Sequence, residues 1–306
     1  MQRTIKNKPD LILMSDKHLR EPDAQPICRL DNAWETQWIK LDFITSLQDK
    51  YGCPVVNAGD LFDKWKPSPY LLSKVMEHLP NQFLSIYGQH DLPEHNFKLR
   101  YKSGIRTLET AFKLQTLGKY TNLTHLKFCV YGCNWKESPV SDVNPNIINV
   151  LVWHTFTYQG KEPWPGCTDP KAKTLLRKYP QFDLILTGDN HTPFVEEFEG
   201  RLLVNPGSIM RMDADQINHR PRVYLWYAET NTVEPVYIPI NPAIDVISRE
   251  HLEHKKQRDK RINAFIDRLD NDWKVELSFE NNLKAFQQQN KVDEQVMGII
   301  YKSLEV

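Results

Sequence analysis

Pro54-Val55-Val56-Asn57-Ala58-Gly59-Asp60-Leu61-Phe62-Asp63 is the stretch from which the fold is read. Residues 54–58 form a short apolar run that reads as a buried strand. The polarity then changes abruptly at a glycine and an aspartate. Gly59 permits a tight turn, so Asp60 is presented at the end of a strand. The same pattern recurs along the chain. Residues 9–14 end in Leu11-Ile12-Leu13-Met14 and lead to Asp16-Lys17-His18. Residues 83–87 lead to Gly88-Gln89-His90-Asp91, and Val150-Leu151-Val152-Trp153 leads to His154. Residues 182–187 lead to Gly188-Asp189-Asn190-His191.

Between these strands the apolar spacing becomes helical. Trp34, Trp38, Leu41, Ile44 and Leu47 recur at helical intervals over 33–50. Residues 69–79 read as a helix with Pro69 in its first turn, where proline is tolerated. Strand, helix, strand, helix, strand implies right-handed crossovers and a mainly parallel sheet. The middle of the chain is richer in strands, at 123–131, 147–153, 182–187, 194–198, 202–205, 223–227 and 233–238. Among them only 170–178 looks helical, and Gly200 between two runs predicts a hairpin. A second, more antiparallel sheet facing the first is therefore expected. Asn241-Pro242 marks a break. Beyond it 248–269 is charged and helical, 280–289 and 293–304 read as helices, and 274–279 as a strand.

Composition sets outer bounds. The chain has 306 residues, enough for one large domain with a smaller appendage. Lys plus Arg number 39 and Asp plus Glu 39, giving a net charge of zero. That neither requires nor excludes nucleic acid, because a local basic stripe can serve on a neutral protein. The cysteines are five in number with no Cys-x-x-Cys pair, which argues against a disulfide framework or zinc knuckle and for a reducing compartment. Met1 to Lys8 is polar and basic, and no apolar run is long enough for a bilayer. The expected localisation is cytoplasmic, with no membrane contact.

In open α/β sheets, ligands bind outside the carboxyl ends of strands, so the five polar loops can gather on one edge. They offer carboxylates, imidazoles and an amide. That is the inventory of a two-metal phosphoester site. Asp-x-His places both side chains on the same side of an extended segment, because side chains alternate with period two.

In order and form, the five motifs resemble those of the calcineurin-like metallophosphoesterase superfamily: Asp-x-His, Gly-Asp-x-x-Asp, Gly-Asn-His-Asp/Glu, His, and Gly-His-x-His. The resemblance covers about the first 240 residues. It implies an α/β fold of two mixed sheets packed as a sandwich flanked by helices. Carried over motif by motif, it implies that Asp16, His18, Asp60 and His191 hold one metal. Asp60 would bridge to a second, completed by Gln89, His154 and Asp189. His90 would contact the phosphate and serve the leaving oxygen, with Asp91 orienting its ring. The implied reaction is attack by a hydroxide that bridges the two cations.

The sequence departs from the family at Gln89, where asparagine is usual, and at Asp189, where histidine is usual. Both fall on the second metal. Such a site is richer in oxygen and more anionic, and favours Mn2+ or Mg2+ over zinc. The alternative is that the second site has weakened.

Gly59-Asp60-Leu61-Phe62-Asp63, followed by Pro67-Ser68, resembles the double-strand-break-repair nuclease branch that includes bacterial SbcD. Asn205-Pro206-Gly207-Ser208 also occurs there, but it is shared with small-molecule phosphodiesterases and reads equally as a tight turn. The implied function is DNA phosphodiester hydrolysis, exonucleolytic or endonucleolytic, by a catalytic domain over 1–242 and a small α/β cap over 243–306. A small-molecule or cyclic-nucleotide phosphodiesterase and a non-catalytic scaffold of the same fold are the alternatives. Retention of His90, which the family does not use as a metal ligand, speaks against a scaffold. Relatives in that branch work with a coiled-coil ATPase of the SbcC type and many are homodimers. The chain ends at Val306, before the helices that grip such an ATPase, so action without it is expected.

Three arginines are candidates for phosphate: Arg20 and Arg29 in the loop after Asp-x-His, and Arg211 after the Asn-Pro-Gly-Ser turn. For each, a solvated loop charge is the plainer reading. His95 follows the third motif closely and is a further candidate for substrate. Trp65 and Trp164, in Pro-containing loops, are candidates for stacking on bases. The basic run Lys255, Lys256, Arg258, Lys260 and Arg261 reads as a DNA-facing strip or an ordinary solvated helix face. Asp63 either supports the site or caps the next turn.

Overall fold

The computed structural model describes residues 8–119, 121, 127–250, 258, 260–262, 279–290 and 292–304. The chain divides into two compact units, Met1–Arg249 and Glu250–Val306.

In the first unit, β1 (Leu11–Met14), β2 (Val55–Asn57), β3 (Phe83–Ser85) and β4 (Gln115–Thr116) form a parallel set. Helices α1 (Ala33–Tyr51), α2 (Pro69–His78) and α3 (Gly104–Thr110) lie between them in sequence. β10 (Arg222–Tyr227) pairs antiparallel with β1, and β11 (Thr232–Tyr237) with β10, completing a six-stranded sheet. The second sheet contains β5 (Phe128–Cys133), β6 (Ile148–Trp153), β7 (Leu184–Thr187), β8 (Phe194–Phe198) and β9 (Arg201–Asn205). Helix α4 (Ala172–Lys178) precedes β7, and the short α5 (Ala243–Val246) follows β11.

Period-two alternation sorts each strand's side chains between layers. Leu11 and Leu13 join Val56, Leu84 and Trp226 against Val130, Val150, Val152, Leu186 and Val204, so the two sheets pack face to face. Ile12, Met14, Val55 and Phe83 face the other way, onto Leu41, Ile44, Val75 and Leu108 of the helices. Leu151, Ile185 and Leu203 pack under Leu175 and Leu176 of α4. Truncating a fully buried anchor such as Ile44 to alanine costs about 2–5 kcal/mol.

The helices begin and end where local chemistry dictates. Asn32 caps α1 by accepting from Glu35 N at 3.2 Å, and Gly52 closes it in the left-handed conformation. Ser68 caps α2 by accepting from Leu71 N at 3.0 Å, with Pro69 in the first turn. Glu21 accepts from Ser68 N and Ser68 Oγ, both at 2.7 Å, which ties this cap to the loop after the first motif. Glu199 and Gly200, both at positive φ, make the two-residue turn between β8 and β9.

The two-sheet sandwich flanked by helices is the expected fold, but the second sheet is not mainly antiparallel. Three of its four pairings are parallel. The hairpin of β10 and β11 instead extends the first sheet.

In the second unit, α6 spans Phe279–Asn290 and α7 spans Glu294–Leu304, with Met297 buried. Arg258, Lys260 and Arg261 are helical and exposed, whereas Lys255, Lys256 and the expected strand up to residue 278 lie outside the described residues.

Candidate metal centre

Each motif loop leaves the carboxyl end of a parallel strand, and all five meet at one edge of the sandwich. The first two are joined by backbone bonds that prolong the β1–β2 pairing beyond the strands: Asp16 N to Gly59 O (3.2 Å), His18 N to Asp60 O (3.0 Å) and Leu19 N to Leu61 O (2.8 Å). Asp16, His18, Asp60 and Asp189 all have positive φ, a strained choice for side-chain-bearing residues that clusters at functional sites. Gly88 has no alternative, because any Cβ there would collide with the Asp60 carboxylate.

Asp60 is at the centre. Its Oδ1 accepts from His90 N at 2.9 Å. Its Oδ2 is buried, has no hydrogen-bond partner, and lies 3.7 Å from His18 Nε2 and 3.5 Å from His154 Nε2. On one side, His18 Nε2 is 3.1 Å from His191 Nε2. Asp16 Oδ1 accepts from Asp189 N at 3.0 Å, while Asp16 Oδ2 is buried without a partner. On the other side, His154 donates through Nδ1 to Ala58 O at 2.6 Å, which turns its Nε2 toward the cluster. That Nε2 meets Gln89 Oε1 at 2.6 Å, and Gln89 Nε2 donates to Asp189 Oδ1 at 2.6 Å.

The atoms present fit divalent cations. Buried carboxylate oxygens and imidazole nitrogens converge with too few donors between them to satisfy one another. Three triads have ligand atoms within 4.8 Å of one another: Asp16, His18 and His191; His18, Asp60 and His90; and Asp16, Asp60 and His154. Mixed oxygen and imidazole ligands suit first-row divalent metals.

The electrostatics follow from burial and pairing. Burial holds His18 down to about 3, with Asp60 opposing and the neighbouring imidazoles reinforcing the effect. Burial also acts on His154, but Asp60, Asp16 and Asp189 outweigh it and push the ring up to about 10. Asp60 is itself held below the usual carboxylate range: burial would raise it, but His154, His18 and His90 prevail.

One expectation concerning His90 is corrected, and the role of Asp63 is decided. Asp91 does not orient the His90 ring. Its two oxygens accept from the backbone amides of Leu61 (3.3 Å), Phe62 (3.0 Å) and Gly88 (3.0 Å), fastening the second and third loops together. Burial and then Asp60 push this carboxyl up to about 7. The ring of His90 is set by Asp63 O, which accepts from Nδ1 at 2.9 Å. The Asp63 carboxylate grips Arg20 at 2.6 Å, so Asp63 supports the site through both its groups.

The arginines separate. Arg20 remains beside His18, lining one cavity with it. Arg29 is buried and bidentate to Asp31 at 2.7 and 2.6 Å, and donates to Arg211 O at 3.0 Å. Arg211 donates through Nε to His219 O and through Nη1 to Asn241 O. These two therefore serve their own loops and line a different cavity, with none of the motif residues. His95 donates through Nδ1 to Gln89 O at 3.0 Å and packs on Trp135. Trp164 is half exposed beside Phe156, and Trp65 is half-buried.

Sequence reasoning missed the braces behind the ligands. Asn205 Nδ2 donates to Asn190 O (2.6 Å) and Thr192 O (2.8 Å), holding the fifth loop. Ser208 N donates to His191 O and Ile209 N to Asp16 O, so the Asn-Pro-Gly-Ser turn, with Gly207 at positive φ, supports two ligand loops. Asn134 Oδ1 accepts from Tyr87 N at 2.9 Å. The signal for these was weak: isolated amides at strand ends.

All five cysteines are free, and among the described residues no helix is long and apolar enough to cross a membrane. A comparison with curated protein sequences returned no match. Among solved structures, an archaeal phosphodiesterase is similar at 12% identity over 74% of this chain and 98% of its own, with a TM-score of 0.38. TT1561 of Thermus thermophilus is similar at 11% identity over 76% and 100%, with a TM-score of 0.47. A phosphopantetheinyl hydrolase from Mycobacterium tuberculosis is similar at 12% identity over 75% and 96%, with a TM-score of 0.45. The assignment rests instead on sequence: the calcineurin-like phosphoesterase model matches residues 10–193, more than half of the chain. This chain belongs to the calcineurin-like phosphoesterases, a family of enzymes that use divalent metals.

Proposed function

We propose that this chain hydrolyses DNA phosphodiester bonds with two divalent cations, Mn2+ foremost. The observation that carries the reading is the Asp60 carboxylate oxygen, buried and unpartnered between His18 and His154. Asp16, His18, Asp60 and His191 would hold one cation, and Asp60, Gln89, His154 and Asp189 the other. When bound, such cations polarise the phosphoryl group and the attacking water. The DNA specificity is supported by Gly59-Asp60-Leu61-Phe62-Asp63 with Pro67-Ser68, the pattern of the double-strand-break-repair branch.

The chain's own groups do the rest. His90 keeps a proton on Nδ1 for the Asp63 carbonyl, which leaves Nε2 for the substrate side. Protonated on both nitrogens, it gives the Nε2 proton to the leaving oxygen and ends as the neutral ring still bonded to Asp63. Such general acids contribute about 10²–10⁴-fold. Arg20, held by Asp63 at the side of His18, would meet a neighbouring phosphate.

The test is degradation of end-labelled duplex and single-stranded DNA with Mn2+, comparing wild type, His90→Ala and a metal-free control. Cutting by wild type alone, with an unchanged metal content in His90→Ala, is expected. Cutting of small phosphodiesters but not of DNA would refute the DNA specificity. A loss of bound metal in His90→Ala would make His90 a ligand rather than the proton donor.

A further inference from the structure

A second cluster of charge lies apart from the metal centre. A cavity of about 180 Å³ is lined by Arg29, Asp31, Thr36, Lys40, Arg211 and Asn241, with Ile39, Pro239, Ile240 and Val246 at its apolar parts. The three cations come from different elements: Arg29 from the loop before α1, Lys40 from α1 itself, and Arg211 from the segment after the Asn-Pro-Gly-Ser turn. All three are more than nine-tenths buried, at 6%, 2% and 5% exposure. Asp31 is the only carboxylate in the lining, and Arg29 already takes both of its oxygens. Lys40 and Arg211 are therefore two buried positive charges with no carboxylate of their own there.

Their hydrogen-bonding capacity is also unspent. An ammonium has three donors, and Lys40 Nζ uses one, to Ile209 O at 2.8 Å. Arg211 engages Nε and Nη1 with backbone carbonyls, and its Nη2 has no partner among the described residues. Burying unpaired charge costs several kcal/mol per ion unless a counter-charge is supplied. The strain shows on Lys40 itself, which burial, then Arg29 and Arg211, push down to about 7.

We propose that this cavity is a binding site for a small dianionic oxyanion of the phosphate class, held by Lys40 and Arg211 with Arg29 behind them. Two excess cations match a dianion, a guanidinium and an ammonium are the usual phosphate partners, and the volume is ample for a phosphoryl group. The anion is either free phosphate or the terminal phosphate of a larger molecule. The site does not depend on the reaction proposed above, because no motif residue lines it.

The test is titration calorimetry of the full chain, stripped of metal with a chelator, using inorganic phosphate against a chloride control of equal ionic strength. Wild type is expected to bind phosphate. Lys40→Met is expected to weaken binding by about 10- to 100-fold, the loss of one charge-assisted hydrogen bond. In phosphate-free buffer the same variant is expected to melt no lower than wild type, because it removes an uncompensated charge. Ile39→Glu is a second probe that leaves the core alone. Ile39 is 63% exposed at the cavity wall, and a carboxylate there should compete with the anion and weaken binding. Asp60→Asn should leave phosphate binding intact. No binding by wild type, equal binding in Lys40→Met and Ile39→Glu, or loss in Asp60→Asn would each overturn the site. A parallel titration with glycerol 3-phosphate identifies the source: binding supports a terminal phosphate group, and exclusion alongside phosphate binding supports the free ion.

Discussion

The two sides of Asp60 are built differently although both present an imidazole to the same oxygen. On the His18 side, the Nε2 atoms of His18 and His191 lie 3.1 Å apart and Asp16 Oδ2 has no partner. On the His154 side, a continuous chain runs from Ala58 O through His154 and Gln89 to Asp189. The first leaves a buried carboxylate oxygen unpartnered beside two imidazoles, an arrangement that a cation would satisfy. The second satisfies itself. The two positions where this sequence leaves the family pattern, Gln89 and Asp189, are hydrogen-bonded to each other. They form one paired change: the amide nitrogen occupied by Asp189 fixes which way the amide oxygen points.

Breaking what the two sides share should have the largest effect. Asp60→Asn is expected to lower metal-dependent hydrolysis of bis-p-nitrophenyl phosphate by about 10³-fold or more, because several kcal/mol of charge stabilisation are lost. A residual activity within tenfold of wild type would mean that the halves do not meet at Asp60.

The pairing of Gln89 with Asp189 is tested by restoring the family residues singly and together. Gln89→Asn or Asp189→His alone should weaken the second metal by about 10–100-fold, read by metal titration, since each strands its partner. The double variant should recover most of that loss and shift preference toward zinc. Additive losses would show the two positions to be independent.

Protonation separates the sides next. His154 is held up to about 10 without metal, so at pH 7 it carries a proton that a ligand must release. Affinity on that side should rise about tenfold per pH unit from pH 6 to 9. His18, held down to about 3, is already neutral over that range, and affinity on its side should be nearly flat. Calorimetry in buffers of different ionisation enthalpy counts the released protons. The same raised His154 value stabilises the metal-free fold fully below the unfolded histidine range, about 6.5, and that contribution fades as pH rises toward 10.

Asp63→Asn is expected to change least. It loosens a partly exposed ion pair with Arg20, a contribution of about 0.2–1 kcal/mol, but leaves the carbonyl that sets His90. Turnover should fall no more than about fivefold. A larger loss would show that the Asp63 carboxylate is needed to hold the Arg20 charge against the substrate phosphate.

The ligand loops were legible because an apolar strand that ends in a carboxylate or histidine is uncommon without a reason, and five did so in order. Strand direction was not legible in the second half. Parallel pairing is inferred from intervening helices, but between β5 and β6 there is none. Direction of side chains was the other blind spot. Arg29 and Arg211 are near the motifs in sequence but belong to loops turned toward α1 and Asn241. Asp91 fits the family's spacing, and only the folded loops reveal three backbone amides competing for its oxygens.

The candidate ligand residues also fasten one another's loops: Asp16 accepts from the amide of Asp189, and Asp60 from the amide of His90. A carboxylate cannot swing out to let a cation escape without unlatching the loop across from it. Metal exchange should therefore be slow and cooperative, its rate set by opening of the loop edge rather than by the strength of any single bond to the ion.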